Sequence, residues 1–326
     1  MFIKELENKD IKNYEKINKI YGFVFTSIKW IKIFNFLNTK IFGIYNKNNE
    51  LIGGFVLWKK SYLGLTIYRN PPLTPYIFWI KPPESNKLVT IQTYYKNILE
   101  TLAKFFGKKL KNIIYVSFPP TIIDFQPFLW KGFKASPRYT YCLELKYSTD
   151  TLKSFMSPER RNDIKKAIKD KLYCVPINNK DRKKTALELI LKTFKRQNKK
   201  IDIRIFENVI FEFLNTETGF GFITYNKNEE PLATSICVYD SKTAYYILGG
   251  YDNDNKHHGA GALALWNCII EAKKKNLKIF DFEGSMIPNI EKYFRGFGGK
   301  LTPYFSVCKA PFLLECFLKL VKRSIF

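Results

Sequence analysis

FDFEGSMIPNIEKYFRGFGGK, residues 280–300, is the stretch on which the reading of this chain turns. A short apolar strand ends in two acids, Asp281 and Glu283. A Gly-Ser turn follows, then a helix carrying Phe294 and Arg295, then the glycine-rich stop GFGG. Acids at a strand end, beside a turn and facing a helix, are a common way to build a reaction site on an α/β scaffold. Alternation with Phe280 and Phe282 puts both acids on one side of the strand. A central strand tolerates them there only beside a cation or a cleft. Either acid can deprotonate an attacking amine. Equally, Asp281 can pair with a Lys or Arg, and Glu283 can accept turn amides.

The same order of elements occurs twice. Residues 45–52, YNKNNELI, and 225–232, YNKNEEPL, each sit between two short apolar strands. That is a hairpin signature, with Asn-rich turns supplying the left-handed positions. Downstream, IQTYYKNILETLAKFFGKKL (91–110) leads into NIIYVSF (112–118), and GALALWNCIIEAKKKN (261–276) leads into LKIFDFEG (277–284). Both helices carry apolar residues at three- and four-residue intervals and end in Lys. Next come FLWKGFKASPRYTYCLEL (128–145) and YFRGFGGKLTPYFSVC (293–308), each a helix end followed by a Pro-Tyr strand. Hairpin, helix, strand, helix, strand, read twice, implies duplication of one mixed α/β domain. The expected domains are 1–148 and 149–326. The second carries inserted helices over 151–215, opened by Ser157 as cap and Pro158 at the first helical turn. It ends in an amphipathic helix over 311–324, either docked on its own domain or lying at a membrane interface.

Composition bounds the function. The 326 residues suffice for two ordinary domains, and 46% apolar content excludes a disordered chain. The net charge of +25 has two readings. One is an anionic partner such as tRNA, a nucleotide-bearing substrate or a membrane surface. The other is AT-rich coding, because only nine of the 54 basic residues are Arg. The six cysteines form no CxxC pair and the two His are adjacent, so no metal site is expected. Several of the cysteines read as small core residues, in a reduced cytoplasmic setting. No apolar run is long enough to cross a membrane.

Several segments resemble the GNAT acyltransferase superfamily, and within it the FemABX-like branch with two GNAT-like domains in one chain. They are FTSIKW (25–30), PPLTPY (71–76), ERRNDIKKA (159–167), YILGGYD (246–252), FDFEGS (280–285) and YFRGFGG (293–299). The resemblance spans nearly the whole chain. It implies two tandem GNAT-like domains, each a mixed twisted sheet flanked by helices. It also implies transfer of an acyl or aminoacyl group to an amine, since better-known members move amino acids from aminoacyl-tRNA onto peptidoglycan precursors.

The resemblance also implies site residues. Phe294 and Arg295 fall where the family usually carries Phe-Lys at the reaction centre; Arg keeps the charge but cannot serve as acid or base near neutral pH. KHHGAGA (256–262) resembles the GNAT pyrophosphate loop, with Lys256, Gly259 and Gly261 in its spacing. A working loop favours acyl-CoA as donor; tRNA-dependent members do not need one. Arg160, Arg161 and Lys165 are candidates for a phosphate-bearing substrate, and Tyr76 for lining a cleft. The expected catalytic set is Arg295, Phe294, Asp281 and Glu283, with no tightly bound cofactor. The acceptor is a small or lipid-linked amine on a cell-envelope precursor. The expected location is cytoplasmic, with the inner face of the membrane as an option. The competing expectation is a non-catalytic GNAT pair that holds an anionic glycolipid or nucleic acid.

Overall fold

The computed structural model describes every residue except 63, 109–111, 198–201, 216, 285 and 322–326, and the backbone alone of 62, 318, 319 and 321. The terminal part of the helix expected over 311–324 and the Ser of the Gly-Ser turn lie outside the described residues. In chain order the elements begin with β1 (Phe2–Glu5), α1 (Asn8–Tyr21), α2 (Ile28–Lys32), β2 (Thr39–Tyr45), β3 (Leu51–Tyr62), β4 (Leu65–Arg69) and β5 (Phe78–Ile80). There follow α3 (Leu88–Gly107), β6 (Ile113–Phe118), α4 (Gln126–Leu129), β7 (Lys134–Glu144), α5 (Thr149–Phe155), α6 (Pro158–Lys169) and β8 (Tyr173–Pro176). The rest are α7 (Lys180–Arg196), α8 (Ile203–Glu207), β9 (Gly219–Tyr225), β10 (Pro231–Tyr239), β11 (Thr243–Tyr251) and α9 (Ala260–Lys274). The chain finishes with β12 (Ile279–Asp281), α10 (Pro288–Arg295), β13 (Lys300–Lys309) and α11 (Phe312–Val321).

Two compact units result: Met1–Arg138 with Pro303–Phe326, and Tyr139–Thr302. In the first, β1, β2, β3 and β4 pair antiparallel in turn. β4 then runs parallel to β6, and β6 runs antiparallel to β13. In the second, β8, β9, β10 and β11 are antiparallel in turn. β11 runs parallel to β12, and β12 antiparallel to β7. Each unit is therefore a mixed sheet with one parallel pair bridged by a long helix, α3 or α9.

The units do not follow the continuous boundary expected at 148/149. β6 takes its outer partner from β13, through Phe305↔Phe118 to Lys309↔Ile114. β12 takes its outer partner from β7, through Ile279↔Glu144 to Asp281↔Cys142. Each unit thus closes with a strand that follows the other half of the repeat. The segment expected to hold inserted helices over 151–215 also holds a strand, β8. Its Val175 pairs with Ile223 of β9, and that ladder satisfies backbone groups which helix periodicity cannot reveal.

Local chemistry explains the repeated parts. Asn46 Oδ1 accepts the amides of Asn48 and Glu50, both at 2.9 Å. Asn226 Oδ1 does the same for Asn228 at 2.9 Å and Glu230 at 3.0 Å. Asn49 and Glu229 take the left-handed positions, at φ 62° and 63°. Ser157 Oγ caps α6 by accepting the Arg160 amide at 3.3 Å. The second unit's core gathers Ala260, Leu265, Cys268 and Ile269 of α9 with Phe280, Phe282, Phe294 and Phe297. The first unit's core is aromatic, with Phe42, Phe55, Phe78, Phe106 and Phe118.

Candidate functional site

β11 and β12 stay in register for three pairs only, Thr243↔Ile279, Ala244↔Phe280 and Tyr245↔Asp281. β11 then runs on to Tyr251, while the other chain turns away at Phe282–Gly284. The carboxyl ends of two parallel strands separate here, which is where ligands enter open α/β sheets. A register shift between Ile236 and Cys237 of β10 lies opposite Tyr246 and Leu248, so Ile247 is an extra residue of β11 inside this notch. Such bulges re-aim side chains beside functional sites.

The two acids play different parts. Asp281 is buried. It accepts Thr140 Oγ1 at 2.5 Å and the Glu283 amide at 2.9 Å. Thr140 Oγ1 in turn accepts the Gly284 amide at 3.1 Å. Asp281 therefore organises the turn, locking β7 to the end of β12. Alternation stops there. Glu283 sits at φ 59° and Gly284 at φ 97°, so the side-by-side presentation expected from a continuing strand does not occur. A left-handed glutamate costs about 1–2 kcal/mol, and strain of this kind collects at functional sites.

Glu283 is half-exposed as a residue, yet its Oε1 is buried and has no hydrogen-bond partner among the described residues. Burial first, and the Asp281 charge second, push its pKa well above the usual carboxylate range. The carboxyl lies close enough to Cys237 to help raise that thiol, which burial and the Cys268 thiol already push well up. Burial holds the thiol of Cys237 and the phenol of Tyr246 protonated, so neither serves as a nucleophile; the Cys268 thiol is buried and donates to the Ser235 carbonyl at 3.5 Å. What the notch offers is a carboxyl whose pKa is raised by burial and whose Oε1 has no partner among the described residues.

Arg295 and Phe294 separate in role. Phe294 is buried, 5.5 Å from Phe282 and edge-on to Tyr246 at 5.6 Å between ring centroids. Arg295 is 62% exposed and donates through Nε to Glu291 Oε1 at 2.8 Å. The same oxygen accepts the Tyr141 hydroxyl at 2.6 Å. Desolvation, reinforced by that bond, pushes the Tyr141 phenol up to about 12. Glu291 is correspondingly lowered by Tyr141 and Arg295. Thr140, Tyr141 and Glu291 were not singled out in the sequence. The pairing of β7 with β12 was the missing signal, whereas Glu291 stands four residues before Arg295, a helical ion-pair spacing visible in the sequence.

The basic helix and the glycine turn meet each other. Arg160 is buried, bridging Asp163 at 2.9 Å and Glu159 at 2.8 Å and lying 4.7 Å from the Tyr293 ring centroid. Arg161 donates to the Met156 carbonyl at 2.5 Å, and Lys165 is exposed. Gly259 caps α9, its amide donating to His257 Nδ1 at 3.1 Å while His257 Nε2 meets Asp170 at 3.1 Å. A methyl group at Gly259 would overlap the Asp163 carbonyl and Ala167. The glycine thus permits α6 to approach α9. At Gly261 the nearest atom to an added methyl is the Tyr293 hydroxyl at 3.5 Å. Lys256 is exposed. Tyr76 is buried in the other unit, edge-on to Tyr304 at 5.2 Å. Among the described residues, no His, Cys, Asp and Glu group could hold a metal ion.

Comparison with known proteins places this geometry. Residues 160–295 match the family described as acetyltransferase (GNAT) domain. No curated protein matches the chain. Among solved structures, the chain is similar to FemX, with a TM-score of 0.68 and 13% identity over 94% of this chain and 97% of that one. A conserved protein of unknown function from Bacteroides thetaiotaomicron VPI-5482 gives a TM-score of 0.59 and 12% identity over 95% and 100%. L-PGS from Bacillus licheniformis gives 0.58 and 7% over 99% and 98%. At these identities the likeness is one of fold. The chain has a FemX-like fold, and residues 160–295, which carry the Glu283 notch, match the acetyltransferase (GNAT) domain family.

Proposed function

We propose that the protein is an acyltransferase that moves an acyl or aminoacyl group from an activated donor to an amine, with Glu283 as its acid–base group. The carrying observation is the Glu283 carboxyl at the separating ends of β11 and β12, whose buried Oε1 has no partner among the described residues and whose pKa burial raises. An amine attacks the activated carbonyl, a C–N bond forms, and the carbonyl oxygen gains charge. As the bond from carbon to the leaving group breaks, Glu283 gives its proton to the departing atom. The resulting carboxylate takes the extra proton from nitrogen, which restores the acid and leaves an amide. No enzyme nucleophile is required. Arg295, exposed and held by Glu291, offers a cation to the anionic part of a substrate.

Two observations favour an aminoacyl ester, such as aminoacyl-tRNA, over acyl-CoA. An alkoxide leaves poorly and needs a proton, whereas a thiolate leaves without one; a carboxyl with a raised pKa suits the ester. The turn before α9 is also occupied, with the Gly259 amide on His257 and α6 against Gly259. The resemblance points to an acceptor amine on a cell-envelope precursor.

The test is turnover with matched ester and thioester donors. Glu283→Gln should cost the ester reaction about 10²–10⁴-fold and the thioester reaction less. Equal turnover by the parent and the variant with the ester would sink the assignment. The binding-only reading draws support from Arg295, whose guanidinium is engaged by Glu291 rather than by either acid of the notch. It predicts tight ligand binding with no turnover of any donor.

A further inference from the structure

The first unit carries a surface that the transfer chemistry does not use. A groove of about 1240 Å³ lies beside the end of α3, the β2–β3 turn and the end of α4. Lys47, Lys104, Lys108, Lys131 and Lys309 reach it from four places in the chain, against one acid, Glu100. Trp130 stands at its rim, largely exposed, with the Lys96 ammonium 4.8 Å from its ring centroid. Lys309 is fixed by a bond to the Lys131 carbonyl and lies 5.0 Å from the Phe133 ring centroid. Three residues after Lys309 begins α11. Its Phe312, Leu313, Phe317 and Leu320 are 59–86% exposed. Spacings of four and three residues from Leu313 to Leu320 put them on one stripe. The helix was expected either to dock on its own domain or to lie at a membrane; the stripe is not covered by its own unit. In sequence, Lys322 and Arg323 follow it.

An exposed apolar stripe alone would admit several occupants. Here it is joined through Lys309 to a lysine-lined groove with an interfacial Trp, and the chain carries a net charge of +25. Apolar residues next to clustered lysines match the acyl boundary and phosphate headgroups of an anionic bilayer. Among the described residues no helix is long and apolar enough to cross a membrane, which is consistent with contact at the surface. We propose that this unit docks on an anionic lipid surface, with the α11 stripe entering the interface and the groove lysines holding lipid phosphates. The proposal does not depend on the transfer reading.

Flotation of the full chain with vesicles of phosphatidylcholine, alone or with added phosphatidylglycerol, tests it. The parent should float only with the anionic vesicles, and less as salt rises. Phe317→Glu with Leu320→Glu, and separately Lys104→Glu with Lys131→Glu, should each weaken binding at least about tenfold, one lysine near such a surface being worth roughly fivefold. These positions are exposed, so the folded state should survive, as a thermal melt would check. Lys180→Glu with Lys184→Glu, on α7 of the other unit, should bind like the parent. An equal loss in that control would overturn the proposal. So would failure to float with either vesicle, or a dimer broken by Leu320→Glu in a chain that does not float. Capture of single-stranded RNA through Lys104 and Lys131 without flotation would overturn it too. Glu283→Gln should float normally. Turnover by a parent chain that does not float would remove the docking proposal and leave the transfer reading standing.

Discussion

The parallel pairs β4–β6 and β11–β12 are two copies of one construction, and they end differently. In the first unit β6 runs on to Phe118, past its last pair with β4, Arg69↔Tyr115. Its continuation is satisfied. Asn70 Oδ1 accepts the Ser117 amide at 3.1 Å, and Asn70 Nδ2 donates to the carbonyls of Thr74 and Pro75 at 2.8 and 2.9 Å. The Ser117 and Ser306 hydroxyls meet at 2.8 Å, and Phe78 stacks on Phe118 at 4.0 Å. In the second unit β12 stops at Asp281, turns through two left-handed residues, and leaves Glu283 Oε1 without a partner among the described residues. One copy is sealed with amide and aromatic groups. The other keeps an acid with one buried oxygen that stability alone would not select, since an unpartnered buried polar atom costs about 1–3 kcal/mol.

The sharpest break of this contrast is Glu283→Gln. Turnover should fall about 10²–10⁴-fold, while Ser117→Ala, at the sealed end, leaves turnover unchanged. Kinetics of both variants with one ester donor would check this. Loss in both would mean that the copies share the work.

The same Glu283→Gln substitution should raise stability at high pH while it lowers activity. The folded pKa of Glu283 is raised, so the folded state holds the proton more tightly than the unfolded chain. Its contribution is therefore fully present below the unfolded carboxylate pKa and is lost as pH rises toward the raised value. The slope is at most about 1.4 kcal/mol per pH unit for this group. Glu283→Gln should flatten the decline, seen as a Tm gain over the parent that grows between mildly acidic and mildly alkaline buffer.

Thr140→Val removes the donor that holds Asp281 and should destabilise by about 1–3 kcal/mol, because a buried charge loses a partner. Ser117→Ala removes a neutral hydroxyl pair and should cost about 1 kcal/mol. Urea unfolding of the two variants would measure the difference, and an inverted order would contradict the organising role given to Asp281.

Arg295→Ala should have the smallest effect on stability. Its ion pair with Glu291 is mostly exposed, and such pairs contribute about 0.3–0.5 kcal/mol. Its effect on turnover should nevertheless exceed tenfold if the guanidinium meets substrate charge, and Arg295→Lys should restore part of it. Unchanged turnover in the alanine variant would leave Arg295 as a helix-end cation only.

Much of this was legible because it is local. The twin hairpins are encoded in NKNN and NKNE, where Asn46 and Asn226 bond amides two and four residues on. The start of α6 is encoded in Ser157-Pro158. The order of elements, read twice, carried the tandem architecture, and the FDFEGS and YFRGFGG segments carried the family resemblance. What was hidden depends on partners far apart in sequence. The two Pro-Tyr strands read alike, so nothing in their residues says that β6 pairs with β13 and β12 with β7. Arg160 looked like a phosphate ligand because its burial against Tyr293 and Asp163 is set by packing. Gly259 looked like a phosphate turn because the approach of α6 is not written near it.

The sequence by itself determined the turns, the caps, the apolar periodicities and the presence of acids after one strand only, since these follow from interactions within a few residues. Only the tertiary structure decided which strands close each sheet and which acid is bound and which is left over. Thr140 comes from a strand 141 residues before Asp281, and its hydroxyl satisfies that carboxylate. Glu283, two residues on and turned left-handed, has a buried oxygen with no partner among the described residues, and desolvation rather than residue type raises its pKa.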